Sequence, residues 1–186
     1  MPTLQVASAT LLCHPATPCT AVLGISATVT LLAEGGLSLA YRLHGRLAEL
    51  RIAPPMLPTA TRCAVDGLWQ HSCFEAFIAN SQQTAYQEIN LAPSGQWASY
   101  AFSDYRQRQP LDPAPAPWIT VSQQGDALTL HALIEAPFLS FLPDSAQRLL
   151  GLSAVIESAD GSLSYWALAH PPGQPDFHHR SAFKPL

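Results

Sequence analysis

The strongest constraint on the fold is a hydrophobic period of two that short turns interrupt. Apolar side chains occupy alternate positions over residues 37–43 (LSLAYRL), and His44-Gly45 then breaks the pattern. Apolar positions resume over residues 47–52, so this stretch predicts a β-hairpin. A period of two is the signature of a strand with one buried face.

The same layout of two alternating runs around a turn recurs along the chain. It is present over residues 85–102, 118–134 and 149–168, and residues 3–12 and 21–32 are rich in β-branched and small residues. About ten short strands at regular spacing predict an all-β fold, an antiparallel β-sandwich of the jelly-roll type or a barrel. Only DSAQRLLG (144–151) indicates a short helical turn, and the proline-rich run at 109–118 indicates an extended connection.

Composition limits the class of protein. The chain has 186 residues, of which 48% are hydrophobic and 12% are charged, which predicts a single domain over residues 1–186. The net charge is −4, with one lysine against eight arginines, so nucleic acid is not an expected partner. No run approaches the roughly 20 apolar residues of a membrane-spanning helix, so a membrane is not expected either.

The N-terminal residues predict a cytoplasmic protein. Residues 1–19 lack a positively charged n-region, and polar residues interrupt their apolar stretches, unlike a signal peptide. In a reducing compartment Cys13, Cys19, Cys63 and Cys73 are expected to be free thiols, and their spacings match no zinc pattern built on CxxC pairs. A composite metal site could be drawn only by adding His14 and His71, and none is predicted.

The hairpin YQEINLAPSGQWASYAF (86–102) carries the most informative polar pattern. A two-residue Ser94-Gly95 turn would place Leu91 opposite Ala98, Ile89 opposite Tyr100 and Gln87 opposite Phe102. One face of the hairpin is then apolar, and the other carries Tyr86, Glu88, Asn90, Trp97 and Ser99.

The preceding strand adds a second carboxylate to that polar face. In SCFEAFIAN (72–80), a core position for Phe74 and Ile78 puts Glu75 on the outer side. This face is either the solvated side of a sheet or the floor of a binding site. Flat aromatic rings beside hydrogen-bonding groups suit sugars, whose apolar C–H face stacks on an indole ring.

The C-terminal stretch PDFHHRSAF (175–183) offers a further polar pair. In an extended strand Asp176 and His178 point to the same side and could orient a ligand. The alternative is a segment that Phe177 and Phe183 hold in place, with its histidines bonded to backbone carbonyls.

Three blocks, LWQHSCFEAFI (68–78), YQEINLAPSGQWASYAFSDYR (86–106) and HPPGQPDFHHRSAF (170–183), together resemble the bacterial DOMON-like domains, which are related to the family 9 carbohydrate-binding modules. The resemblance covers the chain from about residue 66 to its end. It implies a β-sandwich of two antiparallel sheets, in a superfamily that binds sugars or haem in a cleft on the sheet.

By this resemblance, tryptophans stack on a sugar while acidic, amide and arginine side chains bind its hydroxyls. The positions that could play these parts are Trp69, Glu75, Glu88, Asn90, Trp97 and Arg106. With Tyr86 and His178 from the patterns above, they form the predicted ligand-binding set. The expected function is binding of a small ligand, most simply a carbohydrate, with no catalytic residue assigned.

Two alternatives stay open at this point. A b-type haem would need an axial ligand, for which the candidates are His71, His131, His170, His178, His179 and Met56. Exposed aromatic side chains could instead mark a protein partner. The motifs of nucleophilic hydrolases, phosphate-binding loops, dinucleotide sites and zinc proteases are absent from the sequence.

Overall fold

The computed structural model describes residues 6–32, 35–55, 64–111, 115–136 and 148–185. Within these ranges nearly all regular structure is antiparallel strand. The strands are β1 (Val6–Cys13), β2 (Val22–Leu31), β3 (Leu37–Gly45), β4 (Cys73–Asn80), β5 (Tyr86–Leu91), β6 (Trp97–Asp104), β7 (Gln107–Gln109), β8 (Trp118–Gln124), β9 (Ala127–Ile134), β10 (Arg148–Glu157), β11 (Leu163–Ala167) and β12 (Lys184–Pro185). Short 3-10 helices span Leu47–Glu49, Leu68–Gln70 and Arg180–Ala182.

The strands form two sheets that share β1. The first sheet has the order β1-β2-β3-β9-β8, and the second has the order β7-β6-β5-β4-β10-β11, with β12 also paired to β10. Strand β1 joins them, because it pairs with β2 over most of its length and with β11 at Leu12 and Cys13. The predicted all-β sandwich is confirmed. That residues 1–186 form one domain stays a prediction.

The main core lies between the inner faces of the two sheets. Side chains from β3, such as Tyr41, pack against side chains from β4, such as Phe74, with ring centroids 5.0 Å apart. The Tyr41 hydroxyl donates to the Glu75 carbonyl oxygen at 2.6 Å, so its polar end is satisfied inside the core. The β4 backbone is thereby held against the first sheet.

A second apolar cluster lies on the opposite, outer face of the second sheet. Phe77, Tyr86 and Phe102 pack there against Phe183, which the C-terminal segment (170–185) brings across the face. Gly151 makes this packing possible, because a Cβ at this position would lie 2.6 Å from the Phe183 ring. One end of the face is therefore covered by protein, with Phe183 in the position that the alternative for the C-terminal segment predicted. The histidines differ from that alternative, because His178 and His179 bond the side chains of Tyr86 and Ser181 and not backbone carbonyls.

The predicted register of the 86–102 hairpin is wrong by one residue. Strand β5 pairs Leu91 with Trp97 and Ile89 with Ser99. The cause is a three-residue loop instead of a two-residue turn: the Gly95 N–H donates to the Ala92 carbonyl at 2.9 Å, and Gly95 takes a φ of 89°. A type I turn followed by a left-handed glycine gives this geometry. Trp97 consequently lies on the core face, packed against the main core.

The predicted hairpin across residues 37–52 is also wrong in its second strand. Strand β3 already pairs with β2 on one side and β9 on the other, so no edge is left for residues 47–52. Residues Leu47–Glu49 instead form a 3-10 helix, and Leu47, Leu50 and Ile52 still pack against the main core. Their apolar spacing reflected burial without strand pairing.

Some sequence predictions fall partly outside the described residues. Residues 144–147 of the predicted helical turn are among these, whereas its remaining residues 148–151 begin β10. Cys13, Cys19 and Cys73 are free thiols, and Cys63 lies outside the described ranges. In the part of the chain that the structure describes, no helix has the length and apolar character required to cross a membrane.

Candidate functional site

A cleft of about 450 Å³ opens on the outer face of the second sheet, beside the Phe183 cluster. Strands β4, β5 and β10 form its base, and the C-terminal segment forms one wall. Its lining residues are Trp69, Glu75, Glu88, Phe102, Arg106, Arg108, Val155, Tyr165, Pro175, Phe177 and His178. The volume falls in the range of ordinary small-ligand sites.

Two glutamates line the base of the cleft, and a buried asparagine lies beside them; the three residues are called here the acidic floor (Glu75, Glu88 and Asn90). Strands β4 and β5 pair Glu75 with Asn90, which puts Glu88 diagonally next to Glu75 on the same face. Glu75 is 2% exposed and Glu88 is 5% exposed. The floor therefore consists of polar groups in a largely water-excluded position.

Few protein groups satisfy the acidic floor. The Ser153 hydroxyl donates to Glu75 Oε2 at 3.4 Å, and Asn90 Nδ2 donates to Glu88 Oε1 at 3.0 Å. Asn90 Oδ1 is buried without a hydrogen-bond donor among the described residues. A buried acceptor that lacks a partner costs free energy unless a ligand or water supplies a donor.

Burial controls the protonation of both carboxyl groups. Burial, with the nearby charge of Glu88 as a second cause, raises the pKa of Glu75 well above its ordinary value. Burial likewise raises the pKa of Glu88 from 4.5 to about 7. Both shifts favour the protonated form, and at neutral pH Glu88 is ionised in only part of the molecules.

Tyr86 links the C-terminal wall to the sheet. Its hydroxyl accepts from the Arg106 backbone N–H at 3.0 Å and bonds His178 Nδ1 at 2.8 Å. Burial lowers the pKa of His178 to about 4, so the imidazole is neutral at pH 7. Because Tyr86 accepts from Arg106, its own proton is free for Nδ1, and this network assigns the His178 proton to Nε2. That Nε2 lies 3.7 Å from Glu88 Oε2.

Two arginines lie at the rim of the cleft, and each has an acidic partner. Arg106 Nη2 donates to Asp176 Oδ1 at 3.0 Å. Arg106 takes a left-handed φ of 54° in the turn between β6 and β7. The Arg108 guanidinium stacks over the Tyr100 ring, with its Cζ 3.9 Å from the ring centroid. Its Nη2 lies 3.6 Å from Asp66 Oδ1. Both rim charges are therefore largely compensated by the protein itself.

Aromatic side chains provide the apolar surface of the cleft. Trp69 is 46% exposed in the 3-10 helix Leu68–Gln70, which follows Gly67 in a left-handed conformation. Tyr165 of β11 and Phe177 of the C-terminal segment lie with ring centroids 5.9 Å apart. An exposed indole next to buried polar groups gives the cleft both a stacking surface and hydrogen-bonding partners.

The structure brings most of the predicted residues together. Trp69, Glu75, Glu88, Arg106 and His178 line the cleft. Tyr86 and Asn90 are buried beside them and bond His178 and Glu88. The predicted position of Trp97 on this face is wrong, because the register places it on the core side. The part that each residue plays toward a ligand stays a prediction.

Six lining residues were absent from the predicted set: Phe102, Arg108, Val155, Tyr165, Pro175 and Phe177. Arg108 follows Arg106 at a spacing of two and pairs opposite Phe102, so the alternation in β7 was an available signal. Tyr165 reaches the cleft because β11 pairs with β10, and β10 pairs with β4. Local sequence patterns do not determine which distant strands pair, so they could not place Tyr165 or Val155 at the cleft.

The cleft holds one of the histidines proposed as haem ligands, His178. Its Nδ1 is bonded to Tyr86, and its Nε2 faces Glu88. His71, His131, His170 and His179 are not among the lining residues, and Met56 lies outside the described ranges. Among the described residues, no group of three or more His, Cys, Asp or Glu side chains is arranged to hold a metal ion.

Comparison with known proteins finds similarity in structure and none in sequence. No protein-family model matches the chain, and no curated protein matches it. It is similar to the crystal structure of a "putative carbohydrate-binding protein" from Bacteroides uniformis, with a TM-score of 0.65 and 13% identity, over 98% of this chain and 85% of that one. It is also similar to a family 9 carbohydrate-binding module from Caldicellulosiruptor kristjanssonii in complex with cellotriose, with a TM-score of 0.43 and 11% identity, over 90% of this chain and 75% of that one. The first similarity shows that this chain has the same fold as the Bacteroides uniformis protein.

Proposed function

We propose that the cleft binds a carbohydrate without converting it. The observation that carries this proposal is the combination, in one cleft of about 450 Å³, of the exposed Trp69 indole with the buried carboxyl groups of Glu75 and Glu88. The Bacteroides uniformis protein of the same fold bears a carbohydrate-binding name, which agrees with this assignment.

The chemistry of the cleft matches the two surfaces of a pyranose ring. The apolar C–H face of the sugar would stack on Trp69, and its hydroxyl edge would point to the acidic floor. Sugar hydroxyls both donate and accept, and the cleft offers both functions. A protonated Glu75 carboxyl can donate or accept, the His178 Nε2–H donates, and the Glu88 carboxylate accepts.

Recovery of the incubated sugar distinguishes binding from conversion. A glycosidase of the usual type needs one protonated carboxyl group and one ionised carboxylate that acts as nucleophile or base. We assign no catalytic role to Glu75 or Glu88, and we expect an incubated sugar to be recovered unchanged.

The test is isothermal titration calorimetry across a panel of monosaccharides and disaccharides, with two matched tryptophan variants. Trp69→Ala removes the cleft indole. Trp118→Ala removes a similarly exposed indole, 56% exposed, on edge strand β8 of the other sheet. One stacked ring and a few neutral hydrogen bonds correspond to dissociation constants in the range of roughly micromolar to millimolar.

We expect Trp69→Ala to weaken binding by about tenfold and Trp118→Ala to leave it unchanged. Equal losses in both variants, or heats at the level of dilution for every sugar, would rule out this function for the cleft. The relation to bacterial DOMON-like domains and the cytoplasmic location stay predictions.

A further inference from the structure

The charges of the cleft are balanced at the rim and unbalanced at the floor. At the rim Arg106 is paired with Asp176, and Arg108 lies near Asp66. These pairs leave no net rim charge that a ligand must neutralise. An anionic ligand would have to displace an acidic side chain from each arginine.

The acidic floor has no comparable partner. Within the described residues, no lysine or arginine nitrogen lies within 4.0 Å of either the Glu75 or the Glu88 carboxyl group. Arg106 and Arg108 act on Glu88 only as weaker, longer-range charges. The nearby His178 imidazole is neutral at pH 7, so it adds no positive charge.

A second observation points to a ligand with several donors. Asn90 is fully buried, shares the cleft face with Glu75 through their strand pairing, and bonds Glu88 through Nδ2. Its Oδ1 has no donor among the described residues. At the cleft itself the floor presents the carboxyl groups of Glu75 and Glu88, and the Glu75 carboxyl has only the Ser153 hydroxyl, at 3.4 Å, as a side-chain partner. A primary ammonium has three N–H donors for these oxygens.

We propose that the ligand is an amino sugar whose unacetylated ammonium group binds the acidic floor while its ring stacks on Trp69. This inference rests on the proposed function of the cleft, since it specifies the substituent of the sugar. A neutral sugar leaves an ionised Glu88 without a countercharge. An N-acetyl group carries no positive charge, supplies only one amide donor and adds bulk.

The proposal has a defined pH dependence. An ammonium binds best when Glu88 is ionised, and the pKa of Glu88 in the free protein is about 7. Binding of the cation lowers that pKa, so the protein releases a proton on binding. The preference for the amino sugar should therefore increase between about pH 5.5 and about pH 7, whereas binding of the neutral sugar should change little or fall.

The experiment compares sugars that differ only at carbon 2. Calorimetry is performed with glucose and glucosamine, with galactose and galactosamine, and with cellobiose, the disaccharide of glucosamine and its diacetyl form. Each series is measured on the wild-type chain, on Glu88→Gln and on Glu135→Gln. Glu135 is an exposed carboxylate after β9 in the other sheet, so its variant controls for the loss of one charge.

We expect the amino sugar to bind about tenfold more tightly than its hydroxyl counterpart at pH 7, and the diacetyl form to show no such gain. Glu88→Gln should remove the preference, and Glu135→Gln should retain it. Equal binding of the two members of each pair would overturn the inference and leave the proposed function intact. Absence of binding with every one of these sugars would overturn both the inference and the proposed function.

Discussion

Replacement of Glu88 by glutamine should change how the stability of the protein depends on pH. Glu88 is 5% exposed, and burial raises its pKa from 4.5 to about 7. Glutamine has nearly the same shape and does not titrate. The variant therefore removes one ionisation from the folded state while it conserves the packing of the floor.

The sign and the size follow from the two pKa values. Between pH 4.5 and about pH 7 the folded chain holds a proton on Glu88 that the unfolded chain has lost. Wild-type stability consequently falls as the pH rises through this window, by about 3 kcal/mol at about 1.4 kcal/mol per unit of pKa. The contribution is fully present below pH 4.5 and absent above about pH 7.

Urea denaturation at about pH 4 and about pH 8 measures the effect. The free energy of unfolding of Glu88→Gln minus that of the wild type should increase by about 3 kcal/mol between the two conditions. The titrating groups that do not interact with Glu88 cancel in this difference, and removal of the Glu88 charge from beside Glu75 acts in the same direction. A difference between Glu88→Gln and wild type that is the same at both pH values would refute the buried-carboxyl argument.

Three further outcomes are expected. Gly151→Ala should lower the free energy of unfolding by about 1–3 kcal/mol in urea denaturation, because the added Cβ would lie 2.6 Å from the Phe183 ring. Gly24→Ala, whose Cβ meets nothing within 4 Å, is its control, and an equal loss would contradict the packing argument. Tyr86→Phe should lower the unfolding free energy by about 1–2 kcal/mol and weaken sugar binding in calorimetry, since the hydroxyl that orients His178 is lost. By NMR the His178 ring should stay neutral until the pH falls to about 4, and a midpoint near 6.5 would show that it is not buried as described.

The sequence was sufficient for the fold class and insufficient for one register. Alternation predicted both strands of the hairpins that pair β8 with β9 and β10 with β11. The same signal over residues 47–52 reflected burial without strand pairing. Loop length is harder, because Ser94-Gly95 fits a two-residue turn, and Pro93-Ser94-Gly95 fits a three-residue loop. A one-residue slip moves every side chain of the partner strand to the other face, which is how Trp97 was misplaced.

The site shows the same division between local and long-range information. Glu75, Glu88 and Asn90 were predicted to share a face because β4, β5 and their connection are adjacent in the chain. Tyr165 could not be predicted, since it reaches the cleft only through the pairing of β4 with β10 and of β10 with β11. Which distant strands pair depends on the packing of the whole sheet.

The outer face of the second sheet differs from a solvated surface in the burial of its polar side chains. One end of the face is closed by Phe77 and Phe183, so the chain has apolar side chains and a covering segment available there. At the other end the same strands carry Glu75 and Glu88, which are almost as buried and have few partners. A solvated face would expose its carboxylates and keep their pKa values ordinary, and a second core would replace them by apolar residues. Polar groups that are buried, incompletely satisfied and costly at neutral pH are instead what a cleft contains when a ligand completes their hydrogen bonds.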